Sequence, residues 1–382
     1  MGAPQPTPRV RATRFRLPLF VLLPALTWAA AACGGPSAAE PATVASRTAE
    51  APTSEPVTSA PEPTVSPEPG PITIAFAGDV HFEAQLRSRL DDPATALAPI
   101  SPQLSAADLT VVNLETSIGT SGTREPKRFT FQAPPSALDA LAAAGVDVVT
   151  MANNHGMDFG TGGLADTLAA IAGDPPLSVV GIGADAGHAF APAVHDVRGT
   201  TVAVFGASSA DDPTADPTAQ WAADDDTAGI AVAADPARLL QAVAEAGSTA
   251  DVVVVYLHWG IQGERCPSDS QRATASALSD ADADIVVGSH AHLLQGAGLL
   301  GGTYVAYGLG NFVWYTNGSA ASSTTGVLTV TVDAGRVTRE AWTPARIADD
   351  GLPRFATGAD ATEMTVAFAG QRGCTDLQSL VP

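Results

Sequence analysis

Ile285-Val286-Val287-Gly288-Ser289-His290-Ala291-His292 is the stretch on which the reading of this chain turns. Three aliphatic residues run into a glycine, and two histidines follow at i and i+2. In extended backbone such a pair projects from one face, its side chains rooted about 6 to 7 Å apart. Neutral imidazole is the commonest metal ligand in proteins, and there are only 7 histidines among 382 residues. A pair placed this way therefore points to a metal-binding edge, and further ligands must end other strands. Four segments offer them: Asp79-Val80-His81, Asn113-Leu114-Glu115, Asn153-Asn154-His155 and His258-Trp259-Gly260.

Each of these segments follows an apolar run. Strands are predicted over residues 72–77, 109–112, 146–151, 178–182, 201–205, 251–257, 283–287 and 303–307, and an antiparallel pair over 327–332 and 337–342. Helices are predicted between them, over 137–144 with Ser136 as the cap, 164–171, from the Asp235-Pro236 start to Ala246, and 268–279. Residues 208–228, acidic and rich in turn formers, read as a surface excursion. Strands alternating with helices indicate an α/β domain whose sheets are covered on both sides. In open α/β sheets ligands gather at the carboxyl ends of strands, and all five polar motifs fall at such ends. Scattered core histidines would not be distributed like that.

The inventory Asp79, His81, Glu115, Asn154, His258, His290 and His292 is enough for two adjacent divalent ions bridged by one carboxylate, the arrangement that supports in-line displacement at phosphorus. The ligand types suit Mn, Fe, Zn or Co. His155, beside a ligand, is placed to protonate a leaving group, with Asp158 to orient it. His188 and His195 fit no motif. Arg124, Lys127 and Arg128 form the one basic cluster beyond the N-terminus, read either as solvated loop charge or as a grip on an anionic substrate. Asn311 and Tyr307 shape a turn or serve the site, and Trp259 stacks on a ligand or closes the core.

Composition narrows the partners. The formal net charge is −21, and without the four arginines of residues 1–32 the chain has 15 basic against 40 acidic residues. Such a surface repels nucleic acid. Residues 1–32 read as an export signal: Arg9, Arg11, Arg14 and Arg16, then an apolar run, then small residues before Cys33. This resembles a bacterial lipobox, which implies lipidation of Cys33 and an extracytoplasmic, membrane-anchored protein. A plain cleavable signal or an uncleaved anchor is the alternative. Residues 33–70, with proline among Ser, Thr, Glu and Ala, cannot bury a core and read as a tether with a reach on the order of 100 Å. The domain proper is placed at 71–345, with 346–382 an extension. In an exported chain Cys266 and Cys374, an even pair, read as a disulfide tying that extension to the domain, two free thiols being the alternative.

Taken together, D-x-H, N-L-E, N-N-H, H-W-G, G-S-H-A-H and Tyr307-Gly308-Leu309-Gly310-Asn311-Phe312 resemble the CapA family of capsule and poly-γ-glutamate synthesis proteins, within the calcineurin-like metallophosphoesterases. The resemblance covers residues 72 to about 316. It implies a four-layer sandwich of two mixed sheets between helices. It also implies one ion on Asp79, His81 and His292, a second on Asn154, His258 and His290, and Glu115 as the bridge, where the superfamily carries Asp. Two classes of function follow as expectations. One is a metal-dependent hydrolase acting on a phosphoester in envelope material. The other is a non-hydrolytic accessory that binds an anionic polymer beside capsule-synthesis membrane proteins.

Overall fold

The computed structural model describes residues 70–210, 218–315 and 318–380. The readings of residues 1–69 as signal and tether, Cys33 included, lie outside the described residues, as does the 211–217 part of the acidic excursion. No helix among the described residues is long and apolar enough to cross a membrane.

Runs rich in valine and isoleucine build two mixed sheets. The first has 8 strands. Ile72–Val80, Leu109–Leu114, Val148–Thr150 and Ser178–Val180 run parallel in that order. Thr324–Asp333, Arg336–Ile347 and Pro353–Phe355 extend it antiparallel from the other side of Ile72–Val80. The second has 6 strands. Its centre is parallel, from Thr200–Ala210 through Val252–Gly260 and Ile285–His290 to Thr303–Ala306, and Ala193–Val197 and Ala297–Leu300 close the edges antiparallel.

Side-chain alternation assigns the layers. Ile72, Ile74 and Phe76 share a core with Val202, Val204, Val252, Val254, Ile285 and Val287, so this cluster lies between the sheets. Ala75 and Ala77 face the other way, onto Leu138, Leu141 and Leu164 of the helices Ser136–Ala143 and Gly160–Ala172. Val253, Val255 and Leu257 face Leu239 and Leu278 of the helices Ala237–Gly247 and Asp269–Asp280. Helix, sheet, sheet, helix is the expected four-layer sandwich. Tyr256 crosses the middle layer, its hydroxyl donating to the Ala77 carbonyl at 2.8 Å.

The amino ends of the parallel strands carry a repeated device that sequence reading passed over. Asp108, Asp147, Asp251 and Asp284 each stand just before a strand. Their carboxylates accept the backbone N–H of Thr73, Thr110, Thr201 and Val253 at 2.7, 2.7, 2.7 and 2.8 Å. Each also donates its own N–H to the carbonyl of that same neighbour. Four carboxylates thus finish ladders that would otherwise end in unpaired groups.

Local expectations need correction in three places. Pro135, not Ser136, occupies the cap of its helix, because the ring fixes a helical φ and starts the turn one residue early. Ser268 instead closes a full capping box with Gln271. Residues 208–210 continue the strand Thr200–Ala210 rather than looping away, since Ser208 pairs with Val232 and is buried. Residue 345 falls inside the strand Arg336–Ile347, so the chain beyond it continues the first sheet. The helix Gly358–Gly370 follows, its Phe368 stacked on Trp342 at 4.3 Å, and Cys374 is bonded to Cys266 over a separation of 108 residues. In the chain-entropy account a loop of about 100 residues closed this way is worth about 4.7 kcal/mol.

Candidate metal centre

The carboxyl ends of both sets of parallel strands meet at one rim. Asp79 lies in register with Asn113 on one side and Asn311 on the other, while His258 and Trp259 lie beside Ser289 and His290. Close backbone passage makes this convergence possible. A side chain on Gly78 would overlap the Gly310 carbonyl, and one on Gly288 would overlap the Trp259 indole. Trp259 is accordingly a core residue, buried and donating to the Tyr307 carbonyl at 2.7 Å. The expected extended H-A-H geometry does not hold, because the strand ends at His290. His290 and His292 adopt φ of 92° and 56°, a region costly for non-glycine residues. The bend still sets their rings 6.1 Å apart.

Around His258 the donor atoms crowd together. Its Nε2 is 2.9 Å from Asn154 Oδ1, 3.0 Å from His290 Nδ1 and 3.7 Å from Glu115 Oε1. A tetrahedral ion with ligand bonds near 2.1 Å needs donors about 3.4 Å apart, so these spacings fit a single ion. Atoms of Asp79, Glu115 and His258 lie within 4.8 Å of one another, all three residues buried. Asp79 meets His292 Nδ1 at 3.2 Å through Oδ2 and accepts from Asn113 Nδ2 at 2.8 Å through Oδ1. Burial opposes its ionisation, and contacts with His292, Ser289 and Asn113 outweigh that, holding the carboxyl below its ordinary value.

Glu115 is different. It is fully buried, and neither oxygen has an N–H or O–H donor among the described residues. Burial, and then the charge of Asp79 beside it, push its carboxyl well above the ordinary range. A buried carboxylate without donors, next to a second carboxylate, calls for a proton or a cation. With the imidazoles of His155 and His258 each 3.7 Å from it, and Asn154 and His290 converging on the same His258 nitrogen, the donor set fits a divalent metal.

The two ion positions implied by the sequence are therefore unequal. His81 is fully buried, but its Nδ1 accepts the Glu83 N–H at 3.0 Å and its Nε2 faces the Tyr315 N–H at 3.4 Å. Its ring stacks on Phe131 at 4.7 Å and meets Trp314 edgewise at 4.3 Å. Both nitrogens thus face backbone donors instead of the other ligands.

His155 lines the same rim, with Nε2 3.7 Å from Glu115 and Nδ1 2.5 Å from Asp158 Oδ2. Burial, then the Lys127 ammonium, hold the His155 imidazole well below its ordinary value, favouring the neutral ring. Burial pushes Asp158 up to about 7 against the pull of Lys127. Three donors nevertheless converge on its oxygens, Lys127 Nζ at 2.6 Å, Phe131 N–H at 2.6 Å and His155, and this geometry holds the ionised form. Asp158 then accepts from Nδ1, leaving Nε2 of His155 as the acceptor that faces the centre.

Two residues inside the quoted motifs were given no role by sequence and prove to orient Asp79 and His258. Asn153 Nδ2 donates to the Leu114 carbonyl and its Oδ1 accepts the His155 N–H, so its amide is fixed. It donates on to Asn113 Oδ1 at 3.0 Å, which turns the Asn113 amino group toward Asp79 and His258 Nδ1. The doubled asparagine of N-N-H and the asparagine of N-L-E were the available signals. Phe131, stacked between His81 and His155 at 4.7 and 4.1 Å, had none, since it lies in an unpatterned loop.

A cleft of about 510 Å³ opens on the rim, lined by His155 and His292, by Lys127 and Arg128, and by the aromatic residues Phe129, Phe131, Trp314 and Tyr315. Asn311 also lines it, its Nδ2 donating to the Ser322 carbonyl. Arg124 turns outward, its guanidinium over Phe159 at 5.6 Å. The larger cavities, on the outer side of Thr200–Ala210 and around Ser178–Val180, are remote from these ligands.

Residues 73–316 match the family described as bacterial capsule synthesis protein PGA_cap. The PGA biosynthesis protein CapA of Bacillus subtilis is 34% identical over 248 residues, 64% of this chain and 63% of that protein. The capsule biosynthesis protein CapA of Bacillus anthracis is 29% identical over 253 residues, 64% of this chain and 60% of that protein. The matches thus span less than two thirds of either relative. A solved phosphatase from Mycoplasma pneumoniae aligns at TM-score 0.46 and 16% identity, covering 73% of this chain and 94% of that one. With the motif set, its order and the family match all covering the same residues, the chain belongs to the bacterial capsule synthesis protein family PGA_cap.

Proposed function

We propose that this is an exported, lipid-anchored protein of capsule or poly-glutamate synthesis whose rim is a metal-dependent phosphoester-hydrolase centre. The observation that carries the reading is Glu115, a donor-less buried carboxylate facing His155 from its own sheet and His258 from the other, each at 3.7 Å. Asn154, His258, His290 and Glu115 would hold the principal ion, with Asp79 and His292 beside it. A second ion there requires His81 to turn from its backbone donors. A bound divalent ion supplies Lewis acidity toward a phosphoryl oxygen.

The protein's own contribution is positional. Asn153 and Asn113 hold Asp79 and His258 in place, and Phe131 and Trp314 keep water from the histidines. His155, held by Asp158 at Nδ1, handles a proton at Nε2. To donate to a leaving group it must first take a proton there, which suits a shuttle between attacking and departing oxygens.

Loaded with Mn or Zn, the full chain should turn over a chromogenic aryl phosphodiester or monoester. Chelation should abolish turnover, and His155→Ala should lower it about 10²- to 10⁴-fold with metal content retained. The names of the relatives speak of polymer synthesis rather than ester cleavage, and this favours a second reading, an accessory that binds polymer through the metal. Polymer binding by metal-loaded protein with no turnover of either ester would decide for it.

A further inference from the structure

The cleft beside the metal centre has more aromatic surface than recognition of a bare anion needs, and little free positive charge. Lys127 is already committed, paired with Asp158 at 2.6 Å and donating to the Asn154 carbonyl. Arg128 forms no ion pair among the described residues; its guanidinium lies over the Phe129 ring at 4.8 Å. Phe129 is 46% exposed, one of few large apolar side chains left in solvent among the described residues. Phe131 and Trp314 are largely buried against the histidines, so Phe129 and Tyr315 form the accessible part of the wall. Asn311 is 3% exposed, and with Nδ2 bound to Ser322 its Oδ1 is left a buried acceptor without a donor.

Charge and shape together define what fits. A polyanion laid along the protein meets a chain of net charge −21, and among the described residues lining the cleft Arg128 is the one cation without an ion pair. One anionic group can reach the metal edge and Arg128, while an apolar body covers Phe129 and Tyr315 and an O–H of the ligand satisfies Asn311. Resting on the metal-centre reading above, we propose that the cleft binds a phosphate ester of an apolar alcohol, one anionic group at a time. The ester can be a small soluble one or a lipid-linked one, since the same head and the beginning of the same tail would occupy the cleft.

Calorimetric titration of the full chain loaded with Mn²⁺ tests this with phosphonates, whose C–P bond resists hydrolysis. Phenylphosphonate is expected to bind about 10-fold tighter than methylphosphonate, the gain from one aromatic contact desolvated against another. Phe129→Ala should erase most of that advantage, lowering phenylphosphonate affinity far more than methylphosphonate affinity even though Arg128 rests on its ring, and Arg128→Gln should weaken both alike. Dodecylphosphonate binding tighter than phenylphosphonate would identify a lipid source, and the reverse order a soluble one; either supports the assignment. Equal affinity for all three phosphonates, or a γ-glutamyl oligomer that binds tighter than any of them, overturns it while the metal reading stands. Failure of the full chain to take up Mn²⁺ in the loading step overturns the metal reading and this assignment with it, whereas failure of every phosphonate to bind the loaded protein overturns this assignment alone.

Discussion

The two ends of the parallel strands treat acidic side chains in opposite ways. At the amino ends Asp108, Asp147, Asp251 and Asp284 each complete a hydrogen-bond ladder, every one accepting a backbone N–H. At the carboxyl ends Glu115 is buried with no donor and Asp79 leans on a neighbouring histidine. The residue class is the same and the strands are the same, so the difference lies in what the surroundings leave undone. Carboxylates that close a ladder belong to the fold. Those held open at a cost to the fold mark the place where a ligand is meant to complete it.

The largest effect is expected where the open end is broken outright. His258→Ala removes the atom on which Asn154, His290 and Glu115 converge, and metal by elemental analysis should fall to background. Metal retained at the wild-type ratio would mean that the ion sits elsewhere. Glu115→Gln sharpens the contrast, because fold and function should move in opposite directions. Metal affinity should drop by at least about 100-fold, yet the metal-free variant should be more stable than metal-free wild type. The pH dependence follows from the raised carboxyl. The unfolded chain releases the Glu115 proton first, so metal-free wild type should lose stability as pH rises above the ordinary glutamate range, and the Gln variant should lack that slope. Thermal melts in chelator from pH 4 upward, on the order of one reading per half unit, would show identical slopes if Glu115 were satisfied in some other way.

At the closed end the effects are smaller and confined to the fold. Asp284→Ala leaves the Val253 N–H without its partner and should cost about 1 to 3 kcal/mol in denaturant unfolding, with metal content unchanged. Asp284→Asn keeps an acceptor and should stay within about 0.5 kcal/mol of wild type at neutral pH. Burial raises the Asp284 carboxyl, so its ionised form opposes folding as pH rises, and the Asn variant should compare best with wild type at the higher pH. Loss of metal from Asp284→Ala would dissolve the distinction between the two ends.

What the sequence disclosed follows the same division. Alternation in the valine runs is local and was readable, as was the order of motifs at strand ends. The Asp repeat was also present, as Ala107-Asp108, Val146-Asp147, Ala250-Asp251 and Ala283-Asp284 before each run, but its meaning depends on which strand lies alongside. The surroundings of His81 could not be read for a related reason. Its partners are the amides of Glu83 and Tyr315, and Tyr315 is 234 residues away, brought in by the loop after Asn311–Val313. Phe131 was invisible because stacking between two imidazoles leaves no periodic trace.

The strand Ile72–Val80, which carries Asp79, is braced on its outer side by Thr324–Asp333, with Ile72 opposite Val332. Asp79 must also wait for His290, 211 residues downstream. A nascent chain therefore possesses Asp79 long before its partners arrive, and acquires the supporting strand only after the last histidine has emerged. If the rim holds the ion proposed for it, capture is a late event in maturation, and a bound metal would certify a finished molecule.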